Sequence, residues 1–468
     1  LSKATDWGWQ SDQTGLDMVV RTPRIWKFDL QTGSLPSGWC SMVDFPKKEK
    51  KLRVPSKTGH ARNMESESRV SIYQRFGVES IINACGSVTR LGGAPMPEEV
   101  LEAFRQASEV SVSLEQLQAA ASRKIAEHTG TEAGLVTSGA AGALTLGAAA
   151  ILARHDLRRM EQLPHCDGFP HEFIIAREQR SGYDHAVRAS GARLVEVGFN
   201  EIVSNAGVRR TEPWEYVAAI NEQTAGIVYV HASDSQPALS EVIKVARQRG
   251  IPVLVDAAGE VPPRSNLKAI AATGADLVAF SGGKAIRGPQ STGLLCGKRE
   301  LISSAALQLL DMDDHGQLWD PPADLIDLTL FDGIPRHGIG RALKVSKEEI
   351  IALLTALELF SSGAYDAQNQ EYRRWLEQIA GELEQANVNA TCSLVIPECS
   401  ERWPLLEIQI EEDKVGTAFD VCRKLREGTP AVYVGHARLH EGLLSVNPLC
   451  LRSDQVSLLA QRLCELLK

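Results

Sequence analysis

Two residues that could do covalent chemistry each follow a short apolar run in this chain. Asp256 closes the run IPVLVD, and Lys284 lies in the glycine-rich turn that follows DLVAFS. A lysine amine can form a Schiff base with an aldehyde, and a carboxylate can hold a pyridinium nitrogen protonated. The pair therefore fits the chemistry of pyridoxal 5'-phosphate (PLP). The alternative is that Lys284 is a solvated loop residue and that Asp256 caps a helix, since such residues could have the same spacing.

A third segment could hold the phosphate of that cofactor. The run GLVTSGAAGALTLGAAAILA predicts a short strand, a Ser-Gly turn and a helix of small residues. Thr137 and Ser138 offer hydroxyls, Gly139 permits close backbone approach, and a helix N-terminus attracts phosphate. A plain packing helix would have the same composition. The chain has no GxGxxG or GxxxxGK[ST] motif, which argues against a dinucleotide or nucleotide site.

Short apolar runs alternate with helical patterns beyond residue 64. This alternation predicts an α/β fold with a mostly parallel central sheet covered by helices on both faces. Ligands bind at the carboxyl ends of the strands in such sheets, where Ser138, Asp256 and Lys284 are placed. We predict three regions: an irregular N-terminal extension over 1–63, a large PLP-binding domain with an N-terminal arm over 64–335, and a linking helix with a smaller C-terminal α/β domain over 336–468.

Five segments resemble the selenocysteine synthase-like branch of the fold-type-I PLP enzymes, which have an aspartate aminotransferase-like fold. That branch includes L-seryl-tRNA(Sec) selenium transferase and D-glucosaminate-6-phosphate ammonia-lyase. The resemblance extends over residues 69–467, and the lysine segment and the GIGRALKVSKEE segment are more similar to the ammonia-lyase subgroup. The matching segments are INACGSVTRLGGAPM, TSGAAGAL, VDAAGE, FSGGKAIRGPQSTGLL and GIGRALKVSKEEI.

The resemblance implies a PLP-dependent lyase that removes water and ammonia from an amino acid or amino sugar acid and leaves a 2-keto acid. Lys284 would form the Schiff base and act as the base, and Ser281 would join the cofactor site. Arg341, Arg336 and Lys344 would bind the anionic part of the substrate, because guanidinium groups pair bidentately with carboxylate or phosphate. A solvated basic cluster at a helix start is the alternative for these three.

Other activities remain compatible with the same residues. An amino-acid racemase or epimerase would use the same carbanion, and a selenium transferase would act on seryl-tRNA. A PLP-binding protein without catalysis and a Schiff-base aldolase are further alternatives. Two departures argue against selenium transfer: residues 1–68 do not resemble the tRNA-binding helical domain of those enzymes, and Gly93 stands where they carry an arginine.

Further polar residues near the predicted strand ends could also bind the cofactor or the substrate. Arg287 flanks the lysine turn and could touch the cofactor phosphate. The other candidates could lie over the cofactor ring or bind elsewhere at the site, and the sequence does not choose among them. They are Arg177, Tyr183, His185, His231 and Gln236.

Composition and charge exclude several classes of protein. The net charge is −9 without a long basic tract, so a nucleic-acid partner is not expected. No apolar run reaches the length of a membrane-spanning helix. Nine cysteines are dispersed without a CxxC pair or a Cys/His cluster, which favours a reducing cytoplasm and no metal site. We expect a cytoplasmic enzyme that acts on a small, anionic amino compound.

The ends of the molecule suggest two more expectations. Residues 1–63 hold four of the eight tryptophans and no periodic pattern, and Met64 follows a basic run. We expect Met64 to be the natural start, with a targeting or partner-binding tail as the alternative.

Fold-type-I sites usually lie at a two-fold interface, so the resemblance implies a homodimer or a higher homo-oligomer. The glycine-rich segment from Ile82 to Met96 would be free to reach the partner.

Overall fold

The computed structural model describes residues 71–199 and 210–468. The predictions for residues 1–63 and for a start at Met64 lie outside this described part. Within the described residues, no helix is both long enough and apolar enough to cross a membrane.

A seven-stranded sheet forms the centre of the larger part of the fold. Its strand order is β2-β8-β7-β6-β5-β3-β4. The pairs from β7 through β6, β5 and β3 to β4 are parallel, and β8 is antiparallel to both of its neighbours. The predicted α/β fold with a mostly parallel sheet is therefore confirmed. The strands before and within this sheet are β1 (Ile82–Ala84), β2 (Ala133–Thr137), β3 (Glu172–Ala176), β4 (Arg193–Val197), β5 (Thr224–Val230), β6 (Val253–Asp256), β7 (Leu277–Ser281) and β8 (Gly293–Gly297).

Helices cover both faces of this sheet, so its strands read as continuous apolar runs. In β6, Leu254 packs into one core while Val253 and Val255 pack into the other. The helices of this part are α1 (Glu98–Ser108), α2 (Leu114–Thr129), α3 (Gly139–Ala153), α4 (Leu157–Gln162), α5 (Asp184–Ala189), α6 (Pro213–Ala219), α7 (Leu239–Gln248), α8 (Asn266–Ala272), α9 (Arg299–Leu309) and α10 (Lys347–Ser362).

Helix α3 lies unusually close to the sheet because its residues are small. A Cβ added to Gly147 would lie 2.9 Å from the Cδ1 of Leu254, on the neighbouring strand β6. Twelve of its residues, from Gly142 to Ala153, are buried. Close packing of this helix fixes the position of its N-terminus at the carboxyl end of the sheet.

A separate core forms around the C-terminal residues. It joins a three-stranded antiparallel sheet of order β12-β10-β9 to helices α11, α13 and α14. The apolar runs PLLEIQI, AVYVG and GLLSVNP each contain one strand of this part. Its elements are α11 (Gln368–Gln385), β9 (Ala390–Val395), β10 (Leu405–Ile410), α12 (Glu412–Val415), α13 (Ala418–Glu427), β11 (Val432–Val434), β12 (Leu443–Val446) and α14 (Val456–Leu467).

The N-terminal segment differs from the expectation of a free arm. Strand β1 pairs in parallel with β11, and Ile82 and Ala84 are buried in the C-terminal core. Its apolar side chains are therefore used inside the chain, where the sequence suggested that they could reach a partner. The predicted domain boundaries at residues 63 and 335 stay predictions.

Candidate active site

The turn between β7 and β8 carries Lys284 and is closed by backbone contacts. The Gly282 N–H donates to the Thr292 carbonyl oxygen at 2.9 Å. A Cβ on Gly282 would lie 2.4 Å from the Thr292 hydroxyl oxygen, and a Cβ on Gly283 would lie 2.4 Å from the Gln290 Cα. Glycine is required at both positions because nothing larger fits. The lysine therefore follows a turn whose path is fixed by packing.

Asp256 ends strand β6 on the same edge of the sheet. Burial raises the pKa of its carboxyl, while the N–H of Ala258 and the charge of Lys284 act in the opposite direction. The Ala258 N–H donates to one carboxylate oxygen at 3.0 Å. A carboxylate that is held out of water beside a lysine stabilises a nearby positive charge more strongly than a solvated one. This is the environment that the predicted pyridinium partner needs.

The turn after β2 leaves a hydroxyl ready for a ligand. The Ser138 Oγ is buried and has no hydrogen-bond partner among the described residues. A Cβ on Gly142 would lie 2.6 Å from this oxygen, so the glycine leaves room for it. The Thr137 hydroxyl instead donates to the Gly139 carbonyl oxygen at 3.0 Å. Of the two predicted hydroxyls, Ser138 is the one left available to a phosphate.

Strand pairing brings these turns to one edge of the sheet. Thr137 is in register with Gly293, and Gly293 is in register with Ser281. Asp256 is in register with Ala279, two residues before Ser281. The predicted phosphate turn (Thr137 to Gly139), Ser281, Asp256 and the lysine turn thus lie at the same edge of the sheet, at the carboxyl ends of β2, β7 and β6, as the sequence predicts. Their roles as ligands stay predictions.

Lys284 lines a cavity of about 330 Å³ between the large sheet and C-terminal residues. The charged side chains of its lining are Lys284 and Arg402, and both are cationic. Polar lining residues include Ser87 and Asn447, and Trp403 contributes an aromatic wall. A cationic cavity of this kind suits an anionic ligand.

The arginines predicted to bind the substrate lie elsewhere in this chain. Arg341 and Lys344 line a different cavity of about 390 Å³, and an Arg341 Nη donates to Asp311 at 2.6 Å. Arg336 is largely exposed and pairs with Glu161 at 2.8 Å. The structure therefore does not bring these three to the Lys284 cavity of the same chain, and their role as substrate ligands remains a prediction.

Two of the open candidates are held by other contacts. The Arg287 Nε donates to the Pro95 carbonyl oxygen at 3.0 Å, and its guanidinium lies 4.9 Å from the centre of the Tyr365 ring. Arg287 thus connects the N-terminal segment to the turn between α10 and α11, where Tyr365 lies. The Arg177 Nε donates to Glu196 at 3.1 Å. Both guanidinium groups are thus already engaged through their Nε, and their roles as cofactor ligands stay predictions.

An exposed cluster on the α9 side contains residue types that bind metals. Ligand atoms of Asp311, Asp313 and His337 lie within 4.8 Å of one another. A hydrogen bond from the Asp313 N–H lowers the pKa of the Asp311 carboxyl, and hydrogen bonds from His337 and Arg341 lower it further. The cluster is already internally paired, so it does not point to a metal. The prediction of no metal site stays a prediction.

Other site residues carry no signal in the local sequence. Arg402 and Asn447 lie more than a hundred residues beyond Lys284 and reach its cavity only through packing of the C-terminal core. The buried Nδ1 of His231 has no hydrogen-bond partner among the described residues, and burial lowers the pKa of this imidazole. The backbone N–H of His231 donates to the backbone carbonyl oxygen of Asp256 at 2.9 Å. Its position just after β5 made His231 a candidate ligand in the sequence, but the sequence alone did not show whether it binds anything.

Comparison with known proteins supports this description. The family model of L-seryl-tRNA selenium transferase matches residues 184–310. The chain is 27% identical to D-glucosaminate-6-phosphate ammonia lyase of Salmonella typhimurium over 85% of this chain and 98% of that protein. It is 28% identical to 5'-C-glycyluridine monooxygenase-decarboxylase of a Streptomyces species, over 84% of this chain and 92% of that protein. A solved structure of D-glucosaminate-6-phosphate ammonia-lyase superposes with a TM-score of 0.69 at 26% identity, covering 85% and 98% of the two chains.

The fold and the similarity to known proteins indicate a fold-type-I PLP-dependent enzyme. The resemblance to the selenocysteine synthase-like group, and to its ammonia-lyase subgroup, is confirmed by these matches. The residues present also fit the cofactor. The unpartnered Ser138 hydroxyl at the start of a 15-residue helix suits a phosphate, and the enclosed Asp256 carboxylate suits a pyridinium nitrogen.

The Ser138 hydroxyl gives a direct test of the phosphate turn. Ser138→Ala should weaken PLP binding roughly 10- to 100-fold, because a hydrogen bond to a charged group contributes about 1.5–3 kcal/mol. Titration of the PLP-free protein, followed by visible absorption and equilibrium dialysis, measures this change. Ser190→Ala is the matched control, since that buried hydroxyl donates to the Val187 carbonyl oxygen. Wild-type affinity in Ser138→Ala would contradict the placement of the phosphate.

Asp256→Asn should stabilise the PLP-free protein at neutral pH while lowering turnover. The folded-state pKa of Asp256 is raised from an ordinary value of 3.8, so the folded state binds more protons than the unfolded state above that pH. Wild-type stability therefore falls as pH rises through this window, and the asparagine variant lacks this loss. Thermal unfolding midpoints at several pH values measure the difference, which should shrink as pH falls towards 3.8. A difference that is independent of pH would contradict the burial argument.

Proposed function

We propose that this enzyme catalyses an α,β-elimination on a β-hydroxy-α-amino acid and releases a 2-keto acid and ammonia. The observation that carries the proposal is that Lys284 and a second cation, Arg402, line one cavity, to which the described residues contribute no acidic side chain. An amine base and a fixed positive charge are what an anionic amino acid requires. The similarity to an ammonia lyase along nearly its whole length supports the same reaction class.

The residues divide the work of this reaction. Bound PLP supplies an electron sink for the α-carbon of an attached amino acid. The amine of Lys284, freed when the substrate amine takes its place on the cofactor, would remove the α-proton and return a proton to the departing β-hydroxyl, so that water leaves. Lys284 would then rejoin the cofactor and displace the product nitrogen. The free enamine would take up water and lose ammonia to give the keto acid. The Asp256 carboxylate would pair with the positive charge of the cofactor ring, and Ser138 with the N-terminus of α3 would hold the phosphate.

The names of two relatives support an amino acid with a sugar-derived side chain. D-Glucosaminate 6-phosphate is an α-amino acid with a hydroxyl on its β-carbon, and 5'-C-glycyluridine joins a glycyl unit to a nucleoside. A substrate of this class combines a carboxylate with a polar side chain. The Lys284 cavity offers cations and the polar residues Ser87 and Asn447 for these groups.

A second candidate reaction is oxidative decarboxylation. The relative whose name gives that reaction is as similar to this chain as the ammonia lyase, at 28% against 27% identity. Racemisation remains the alternative that uses the same proton abstraction without loss of a group. Selenium transfer is disfavoured by Gly93, which has a φ of 73° and whose Cβ would lie 2.8 Å from the Gln290 Cγ. An arginine does not fit this turn as it stands.

We also propose that the enzyme works as a homodimer in the cytoplasm. Apolar side chains of the first described turn are exposed, namely Ile72, Tyr73, Phe76 and Val78. Exposed apolar clusters of this kind favour burial by a second copy. Eight cysteines of the described part are free thiols, which agrees with a reducing compartment.

Light scattering should give twice the mass of one chain for the wild type. The double variant Tyr73→Asp with Phe76→Asp should shift the protein towards the monomer, because it places charge on the apolar turn. Leu318→Asp, at another exposed apolar residue, is the control and should leave the mass unchanged. A wild-type monomer with full turnover would contradict the proposal.

Incubation with D-glucosaminate 6-phosphate and with both enantiomers of serine and threonine tests the reaction. Elimination predicts a 2-keto acid and ammonia in equal amounts without consumption of oxygen. Lys284→Ala should lower the rate by roughly a thousandfold or more while the protein stays folded, because it removes the base.

The products separate the candidate reactions. Oxygen uptake with release of carbon dioxide would establish oxidative decarboxylation in place of elimination. Solvent deuterium at the α-carbon without ammonia would establish racemisation. Full turnover by Lys284→Ala would overturn the role of the lysine in any of these reactions.

A further inference from the structure

The open face of the C-terminal sheet changes from polar to apolar where it meets the Lys284 cavity. Successive side chains of a strand point to opposite faces, and alternate residues of β10, such as Leu406 and Ile408, lie in the C-terminal core. On the opposite face, the last cross-strand pair is Val395 with Leu405, and both residues line the cavity. The preceding pairs on that face are polar, namely Thr391 with Gln409 and Ser393 with Glu407.

Val395 is an apolar side chain that remains 39% exposed at the end of this face. A single exposed apolar residue is ordinary, since much of any protein surface is apolar. Val395 is not isolated, however, because the same cavity wall also contains Leu405, Pro397 and Trp403, with Pro262 from the large part of the fold. A contiguous apolar wall next to a candidate catalytic lysine suits an apolar group of a ligand.

Trp403 gives this wall a flat aromatic surface. Its indole packs against the apolar core of the large sheet and also lines the cavity, so one part of the ring system is supported by protein. The rings of Pro262 and Pro397 belong to the same lining. Aromatic rings gain free energy from stacking on one another beyond the area that they bury. The wall therefore favours a planar ring over a branched aliphatic group.

The segment between β9 and β10 that carries this wall is fixed to the large part of the fold. The Arg402 Nε donates to the Pro262 carbonyl oxygen at 3.2 Å. Glu401 forms an ion pair with the Arg264 Nε at 3.2 Å. Both contacts come from residues directly before Trp403. A wall held in this way is preformed, so a ligand gains from burial without the cost of ordering the segment.

We propose that Val395, Leu405 and Trp403 bind an aromatic ring on the side chain of the amino substrate. The cavity of about 330 Å³ has room for such a ring beside the amino acid group, since an apolar cavity of about 150 Å³ holds benzene. Serine or threonine would leave most of the wall uncovered. The inference rests on the proposed function in requiring an amino acid that reaches Lys284, and it narrows the substrate class to amino acids with an aryl or heteroaryl group.

Calorimetric titration of the PLP-loaded enzyme with alanine, leucine and phenylalanine measures the assignment without elimination, because these amino acids carry no β-hydroxyl. Both enantiomers of the chiral probes are used. The wild type should bind phenylalanine roughly 10- to 100-fold more tightly than alanine, the gain expected for burial of one phenyl ring. It should bind phenylalanine roughly threefold or more tightly than leucine, because a stacked ring gains more than its buried area.

Three variants locate the ring. Val395→Ser continues the polar pattern of the open face at an exposed position, and it should lower the preference for phenylalanine over alanine roughly 3- to 10-fold with the fold kept. Ile396→Ser is the matched control, since the neighbouring Ile396 is 56% exposed and is not part of the cavity lining. Trp403→Leu should remove the preference for phenylalanine over leucine and keep the preference for leucine over alanine.

The outcomes decide the assignment. Equal binding of phenylalanine and alanine, binding of none of the probes, an unchanged preference in Val395→Ser, or an equal loss in Ile396→Ser would each overturn it. Binding of leucine as tight as that of phenylalanine would establish an aliphatic group in place of a ring.

Incubation with β-phenylserine separates this assignment from the proposed reaction. Elimination of water and loss of ammonia would convert that compound to phenylpyruvate. A preference for phenylalanine that depends on Val395, with no phenylpyruvate formed, would keep the ring site while the proposed elimination fails. Formation of phenylpyruvate with equal binding of phenylalanine and alanine would keep the elimination while the ring site fails.

Discussion

The close contact between the phosphate turn and strand β8 is the constraint on which the site depends. A Cβ on Gly293 would lie 2.3 Å from the Gly139 carbonyl carbon and 2.6 Å from the Ala140 nitrogen. Thr292, immediately before β8, also closes the lysine turn by accepting from the Gly282 N–H. One short stretch of backbone therefore sets the distance between the helix that can hold a phosphate and the lysine that can hold an aldehyde. Interiors packed this closely leave little freedom for either turn to move.

Electrostatics divide the site into two regions. At the sheet edge, Asp256 is held out of water, which costs stability when no cation is beside it and favours a bound pyridinium. In the cavity that Lys284 lines, the C-terminal residues contribute one cation, Arg402, and one amide, Asn447. An amino acid carries both a carboxylate and an amine that must be oriented. The proposed reaction would therefore use groups from both the large sheet and the C-terminal residues.

The parts of this arrangement that follow from local sequence could be predicted. Apolar runs and turns placed Lys284, Asp256 and Ser138 at strand ends, because parallel strands align their carboxyl ends. The cavity wall formed by Arg402 and Asn447 could not be predicted, since it depends on how a distant core packs against the sheet. The burial of Ile82 in that core was missed for the same reason: its partner strand lies about 350 residues later. The roles expected for Arg336, Arg341 and Lys344 came from motif similarity, which does not specify the contacts a side chain makes.

The most direct test of this account is the site at which PLP attaches to the chain. Reduction of the PLP-loaded enzyme with borohydride, followed by proteolysis and mass spectrometry, locates the modified lysine. The account predicts a single pyridoxyl-lysine at Lys284, in the peptide that contains SGGKAIR. Attachment at another lysine, or no attachment in protein saturated with PLP, would contradict it.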